Sequence, residues 1–275
     1  MKEIEKIKSS AINVSLSNTV KLDNLFAGDM VWYKKGAFQY MEMNCDNLQK
    51  KIIRIVFSEI KRSDTEFKSV TIAFLELLKV IGLAPNGKDY NKMSKAISQL
   101  SEVSAVIHTV PTKNEMTHTT LDDVTETIPV FDSVEVNGRY VTFLVSSSLK
   151  PYLIDLRVKK SFSYKLENVL GLRKKYSISL YELFKSHQKQ GIFVIKVESL
   201  FSVLFGDEIP KTYRDKRDFI DKVIYPSINE INENTDINVS FERDYTSANH
   251  HYSTITFHIQ KKQSKITDED LPFQD

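Results

Sequence analysis

The sequence predicts an α+β chain made of two successive units, each a cluster of helices closed by a β-hairpin. Three observations carry this. Residues 219–241 (FIDKVIYPSINEINENTDINVSF) put Phe219, Ile220, Val223, Ile224, Ile228 and Ile231 on one side of a helix that runs through a polar turn into a strand. Residues 211–217 (KTYRDKR) lead into that helix with a run of cations. The first half follows the same order and ends in VEVNGRYV (134–141), where Asn137-Gly138 supplies the positive φ values of a tight hairpin turn. A helix with cations at its front and a hairpin behind it is the arrangement by which a winged helix reads DNA. Two tandem winged-helix domains is therefore the simplest fold that fits.

Taken in order, residues 1–44 form an N-terminal extension with no clean period, apart from short strands expected within 26–43. The first domain is expected over 45–155. Leu48, Ile52, Ile55, Val56 and Ile60 recur at helical spacing behind Asp46, a plausible N-cap. An apolar segment at 69–81, ending at Gly82, is expected as the second helix, and 88–100 as the third. Strands at 103–110 and 130–145 enclose a Thr- and acid-rich loop. The second domain is expected over 156–262, with a helix at 174–189 stopped by Gly191 and a β-type run at 192–197. A brief helix at 198–205, the basic-fronted helix at 213–233, and strands at 236–241 and 252–260 complete it. Pro226 falls inside the basic-fronted helix, where its missing N–H should bend or break it. Residues 263–275 read as an acidic, disordered tail whose Leu271-Pro272-Phe273 faintly resembles a sliding-clamp-binding peptide.

Composition narrows the function classes. No apolar run approaches the ~20 residues of a membrane span, and the start lacks a signal-peptide core, so a cytoplasmic protein without a membrane partner is expected. Cys45 is the only cysteine, which leaves no internal disulfide and fits a reducing compartment. The net charge of +2 hides a separation: residues 150–189 hold ten bases against three acids, a net of +7, leaving −5 for the rest. Such a separation fits a protein that meets a polyanion, and it equally fits a solvated charged surface.

On a helical wheel, Lys88, Lys92, Lys95 and Gln99 fall within roughly a 60° arc opposite Tyr90, Met93, Ile97 and Leu100, with Asn91 on the flank of the stripe. With no acid among them, these lysines suit phosphate contact; the plain alternative is a wet amphipathic face. At the front of the second-domain helix stand Lys211, Tyr213, Arg214, Lys216 and Arg217, with Lys222 further along. Arg214–Asp218, Arg217–Asp221 and Asp218–Lys222 are spaced to pair with one another, yet an arginine in such a first turn also suits a guanine edge. Asp215 or Asp218 is a candidate acceptor from cytosine or a prop for an arginine. Lys159, Lys160 and Lys174 lie in a basic stretch over the expected inter-domain connection, and Arg243 and His250 in the expected wing tip.

Enzyme readings fail on chemistry, so a non-enzyme without cofactor or metal is expected. GLAPNGKD (82–89) has the spacing of a phosphate-binding loop but ends in Asp89 where a Mg²⁺-holding hydroxyl is needed. The histidines His108, His118, His187, His250, His251 and His258 include no His-x-His pair of the kind a nickase uses.

Several runs are more specific. FSYKL from Phe162, LRKKYSISLYEL from Leu172, Lys211-Thr212-Tyr213, VIYPSINEIN from Val223, Thr235-Asp236 and Val239-Ser240-Phe241 strongly resemble the iteron-binding replication initiators of theta-replicating bacterial plasmids. VTFLVSSSLKPYL from Val141 resembles the strand-then-helix exit from that family's first domain, whereas residues 1–44 depart from its pattern. The resemblance implies a double-stranded DNA-binding initiator. It would bind direct repeats at a plasmid origin as a monomer, help open an A·T-rich region, and recruit the host initiator and helicase. As a homodimer it would repress its own gene. It further implies that 213–222 is the main sequence reader, that 88–99 contacts the other part of the site, and that the 134–145 hairpin lies at a dimer interface. A winged-helix transcriptional regulator without a replication role is the rival reading.

Overall fold

The computed structural model describes residues 30–34, 41–43, 45–61, 64–108, 124–154, 161–206, 209–213, 215–245 and 252–262. The expected tail (263–275) and most of the expected extension lie outside them.

Two compact units emerge; the main division falls between Leu170 and Gly171 rather than at 155/156, and His108, Val124 and Thr125 also group with the second unit. Pairing explains the shift: β1 (Met30–Lys34), out of the supposed extension, runs antiparallel to a strand at Ser161–Lys165, with Met30 opposite Lys165. That strand and the short helix after it therefore belong to the first unit.

β2 (Met41–Met43), whose Met41 and Glu42 group with the second unit, precedes α1 (Asn47–Ser58) of the first. Asp46 caps α1 as expected: its carboxylate accepts from the Gln49 amide at 2.8 Å, and the Gln49 side chain accepts from the Asp46 amide at 2.8 Å. This reciprocal box satisfies two amides that the first turn leaves open. Ile52, Ile53, Ile55, Val56 and Phe57 are all buried, so α1 is the central helix of the unit. The segment expected as one helix at 69–81 is instead β3 (Val70–Ala73) followed at once by α2 (Phe74–Ile81), which ends at Gly82 with φ 80. α3 (Gly87–Ser98) follows, with Asn86 accepting from the Asp89 amide at its start.

Next come β4 (Ser104–His108), β5 (Val124–Pro129), and the hairpin of β6 (Phe131–Asn137) and β7 (Tyr140–Val145). The turn is where Asn137-Gly138 put it, with Gly138 at φ 59. β5 occupies ground expected to be loop and makes a three-stranded sheet in the order β2-β4-β5. A second sheet has the order β3-β7-β6. α4 (Lys150–Leu153), β8 (Ser161–Lys165) and α5 (Leu166–Leu170) close the unit, and the Lys51 ammonium of α1 donates to the Leu170 carbonyl at 2.7 Å.

The second unit repeats the plan. α6 (Ser177–His187), β9 (Ile192–Lys196) and α7 (Val197–Phe205) lead to a long helix, α8. α8 starts over Lys216–Phe219, widens into a π turn over Ile220–Ile224, and continues over Tyr225–Asn234. The hairpin of β10 (Ile237–Tyr245) and β11 (Tyr252–Lys261) follows, in a sheet ordered β10-β11-β9. In both units, then, a short strand just ahead of a helix pairs with the second strand of the hairpin. Each expected hairpin is in fact part of a three-stranded sheet.

The helix is not broken at Pro226. A proline lacks an N–H and its ring crowds the carbonyl four residues back; the π turn immediately ahead absorbs both faults by widening the ladder there. The apolar side is the expected one: Phe219, Ile220, Val223, Ile224, Ile228 and Ile231 are buried, as are Leu180, Phe184, Ile255 and Phe257 from the rest of the unit's core. Burial of each such side chain contributes about 1.5–3 kcal/mol. Among the described residues no helix is long and apolar enough to cross a membrane.

Candidate nucleic-acid interface

α3 carries its stripe as the sequence implied. Met93, Ala96, Ile97 and the following Leu100 are buried, and Tyr90, though half-exposed, stacks on Phe74 with centroids 4.2 Å apart. Lys88, Asn91, Lys92, Lys95 and Gln99 are all exposed. Among the described residues no carboxylate lies within ion-pair range of the three lysines. Asp89 is the nearest acid in sequence, and its Oδ2 is engaged by the Ala84 amide at 3.2 Å and Asn86 Nδ2 at 3.0 Å. It anchors the loop at the helix start and is not drawn to the lysines.

At the front of α8 the cations divide by environment. Asp215 is the N-cap, accepting from the Arg217 amide at 2.8 Å, so its carboxylate orders the helix start. Arg217 is 85% exposed, and only a loose contact of 3.8 Å joins it to Asp221. Lys222 donates to Asp218 at 2.9 Å, a hydrogen bond that raises the lysine's pKa above its ordinary value. Exposed i,i+4 pairs of this kind are weak enough to exchange for a phosphate. Lys211 is exposed.

Two expected contacts face elsewhere. Tyr213 is half-buried, stacked on Phe205 at 5.5 Å and edge-on to Tyr176 at 6.4 Å, because an aromatic ring at the mouth of an apolar cluster gains more from burial than from water. Lys216 pairs with Glu198 of α7 at 2.7 Å, so its ammonium braces two helices. Burial alone would raise the Glu198 pKa; the hydrogen bond and charge of Lys216 outweigh it and hold the carboxyl below its usual range.

Arg243 is not at the wing tip. It stands within β10 opposite Ile255, two residues beyond Phe241 on the same side of the strand. Phe241 in turn meets Tyr225 of α8 edge-on at 5.4 Å. Lys174 is exposed in the loop ahead of α6. Lys159, Lys160, Arg214 and His250 lie outside the described residues.

Sequence reasoning missed Glu198 and Glu230. Glu198 meets a lysine from a separate helix, which no local spacing announces. Glu230 is buried one residue before Ile231 and three after Ser227, so a wheel does carry its signal: a carboxylate inside the apolar arc of α8.

Comparison with known proteins fits this pair of units. Residues 32–185 match the initiator replication protein family over its domain WH1, and residues 197–264 match the initiator Rep protein domain WH2. The chain belongs to the initiator replication protein family. It thus carries the two winged-helix domains of a Rep initiator; the WH1 match begins within β1 and runs past the division at Leu170 into α6. Among solved structures, the Pi initiator protein in complex with iteron DNA superimposes on this Rep protein with a TM-score of 0.66 at 17% identity, covering 86% of this chain and 98% of that one. Domains 2 and 3 of RctB align at a TM-score of 0.46 and 11% identity, over 82% of each chain. No curated protein sequence matches the chain.

Proposed function

We propose that this Rep protein is a plasmid replication initiator that binds double-stranded DNA at directly repeated sites, using α3 and the front of α8 as its two contact helices. The carrying observation is that both winged-helix units expose cations on the third helix of the repeated plan: Lys88, Lys92 and Lys95, without carboxylate partners among the described residues, and Arg217 at 85% exposure. That position in the fold is the one that enters a major groove. Phosphate neutralisation by the lysines gives affinity that falls with salt, and arginine contact with base edges gives preference among sequences. The Pi initiator, of the same fold, is seen with iteron DNA, which supports the reading.

Within this proposal the protein works by binding rather than catalysis, in the bacterial cytoplasm. As a monomer it helps open an adjacent A·T-rich tract and recruits the host initiator and helicase; as a homodimer it represses its own gene. The test is fluorescence-anisotropy binding to DNA from beside its own gene, against scrambled DNA, across a salt series. Tight binding that counts off direct repeats supports the initiator. Binding confined to a lone palindrome would point to a transcriptional regulator instead, and equal weak binding to both DNAs would overturn the DNA reading.

A further inference from the structure

Glu230 is 8% exposed within α8, and both of its carboxylate oxygens are engaged by main chain: Oε1 accepts from the Arg173 amide and Oε2 from the Lys174 amide, each at 2.9 Å. A buried carboxylate usually meets a cation; here the charge is met by two consecutive amides, and the cationic side chains next to it are left outside. Arg173, Lys174 and Lys175 are all exposed, and among the described residues none of the three side chains pairs with a carboxylate; the Lys175 ammonium rests 5.1 Å from the Tyr176 ring centroid. A cavity of about 900 Å³ lies alongside, lined by Arg173 and Lys174 together with Asp221, Tyr225 and Pro226 of α8. Asp221 is the loose partner of Arg217, so the loop flanks the exposed side of α8 one turn behind that arginine.

We infer that Arg173, Lys174 and Lys175 form a second phosphate-contacting surface of the WH2 domain, and that Glu230 is the positioning residue that holds it beside the DNA-contacting helix. This rests on the DNA-binding reading above and goes beyond it by assigning a favourable role to an acid. By charge alone, Glu230 opposes a polyanion and its removal should tighten binding. As a clamp on the loop backbone it fixes three cations before the DNA arrives, and its removal should loosen binding. The two accounts predict opposite signs.

The experiment compares wild type, Glu230→Ala, Glu230→Gln, the Arg173→Ala/Lys174→Ala/Lys175→Ala triple variant and Arg217→Ala on repeat and scrambled DNA, across salt, with folding followed by circular dichroism. The expected result for Glu230→Ala is weaker binding, with a salt slope shallower by about 0.9 for each phosphate no longer neutralised. Its preference for repeat over scrambled DNA should persist, which an unfolded domain would not allow. Glu230→Gln keeps one acceptor oxygen and should fall between. If Glu230→Ala binds as tightly as wild type with the same slope, the clamp is overturned. Should Glu230→Ala fail to fold, the triple surface variant decides: an unchanged slope overturns the surface. A normal wild-type preference that Arg217→Ala erodes, beside an unaffected triple variant, sinks this inference alone. A wild type that treats both DNAs equally sinks the DNA reading as well.

Discussion

Among the described residues, Arg217 is the side chain that best suits a base edge: it sits in the first turn of α8, largely in solvent, with its backbone fixed by the Asp215 cap and its guanidinium in a long contact with Asp221. Arg217→Ala should cost about 1–3 kcal/mol of repeat-specific affinity. Binding unchanged at fixed salt would remove the assignment. Lys216, its neighbour, answers to a different partner. The Glu198 carboxyl it holds titrates below its ordinary 4.5, so the pair's stabilisation is fully present above that value and is lost as pH falls through the folded-state pKa. Glu198→Gln should therefore lower stability slightly near neutrality, by no more than about 1 kcal/mol, because the pair is open to solvent, and a small drop in melting temperature would show it. The difference should vanish in acid; a gap that persists below the carboxyl's titration would show that the glutamate acts by packing. At this scale the sequence is informative where partners are local. The Arg217–Asp221 and Asp218–Lys222 pairs follow from four-residue spacing, and the Asp46 cap from its place before an apolar run. Glu198–Lys216 and the Tyr213–Phe205 stack join separate elements, and there local pattern is silent.

Element ends are the most legible features because single residues dictate them. Gly82 adopts φ 80 at the close of α2, and a Cβ built there would meet nothing within 4 Å. The cost of Gly82→Ala is thus backbone strain without steric clash, about 1–2 kcal/mol, and should appear as a lowered unfolding temperature of the first unit with DNA binding intact. No change in melting would mean that the helix end relaxes out of the left-handed region. What local signals conceal is which strand pairs with which. β3 reads as the opening of an apolar helix because Val70, Ile72, Phe74, Leu77 and Leu78 are all apolar; only its ladder to β7, with Thr71 opposite Thr142, makes it a strand. β8 is likewise defined by β1, more than a hundred residues away in sequence. Pro226 misleads in the other direction. A proline in a helix announces a break, and the π turn over Ile220–Ile224 shows how the chain keeps the helix going.

Across the whole molecule, the same order of elements and the same sheet topology occur twice, in units that form separate compact bodies. The duplication is visible in the sequence as two helix clusters each closed by a hairpin. Its boundary is not, because β8 and α5 look like the start of the second unit while packing in the first. If each unit brings its own contact helix to DNA, their contributions should be of different kinds. Lys92→Ala with Lys95→Ala on α3 should reduce the salt slope by about 0.9 per phosphate and leave sequence preference nearly unchanged. Arg217→Ala on α8 should weaken preference with a smaller change in slope. Since the two sites share no partner within one unit, their effects in the combined variant should add to within about 0.5 kcal/mol. A double-mutant cycle on a single repeat measures this directly. A coupling energy well above that bound would mean that one unit's grip on DNA alters the other's, so that the protein engages its site as a single cooperative body and not as two independent readers.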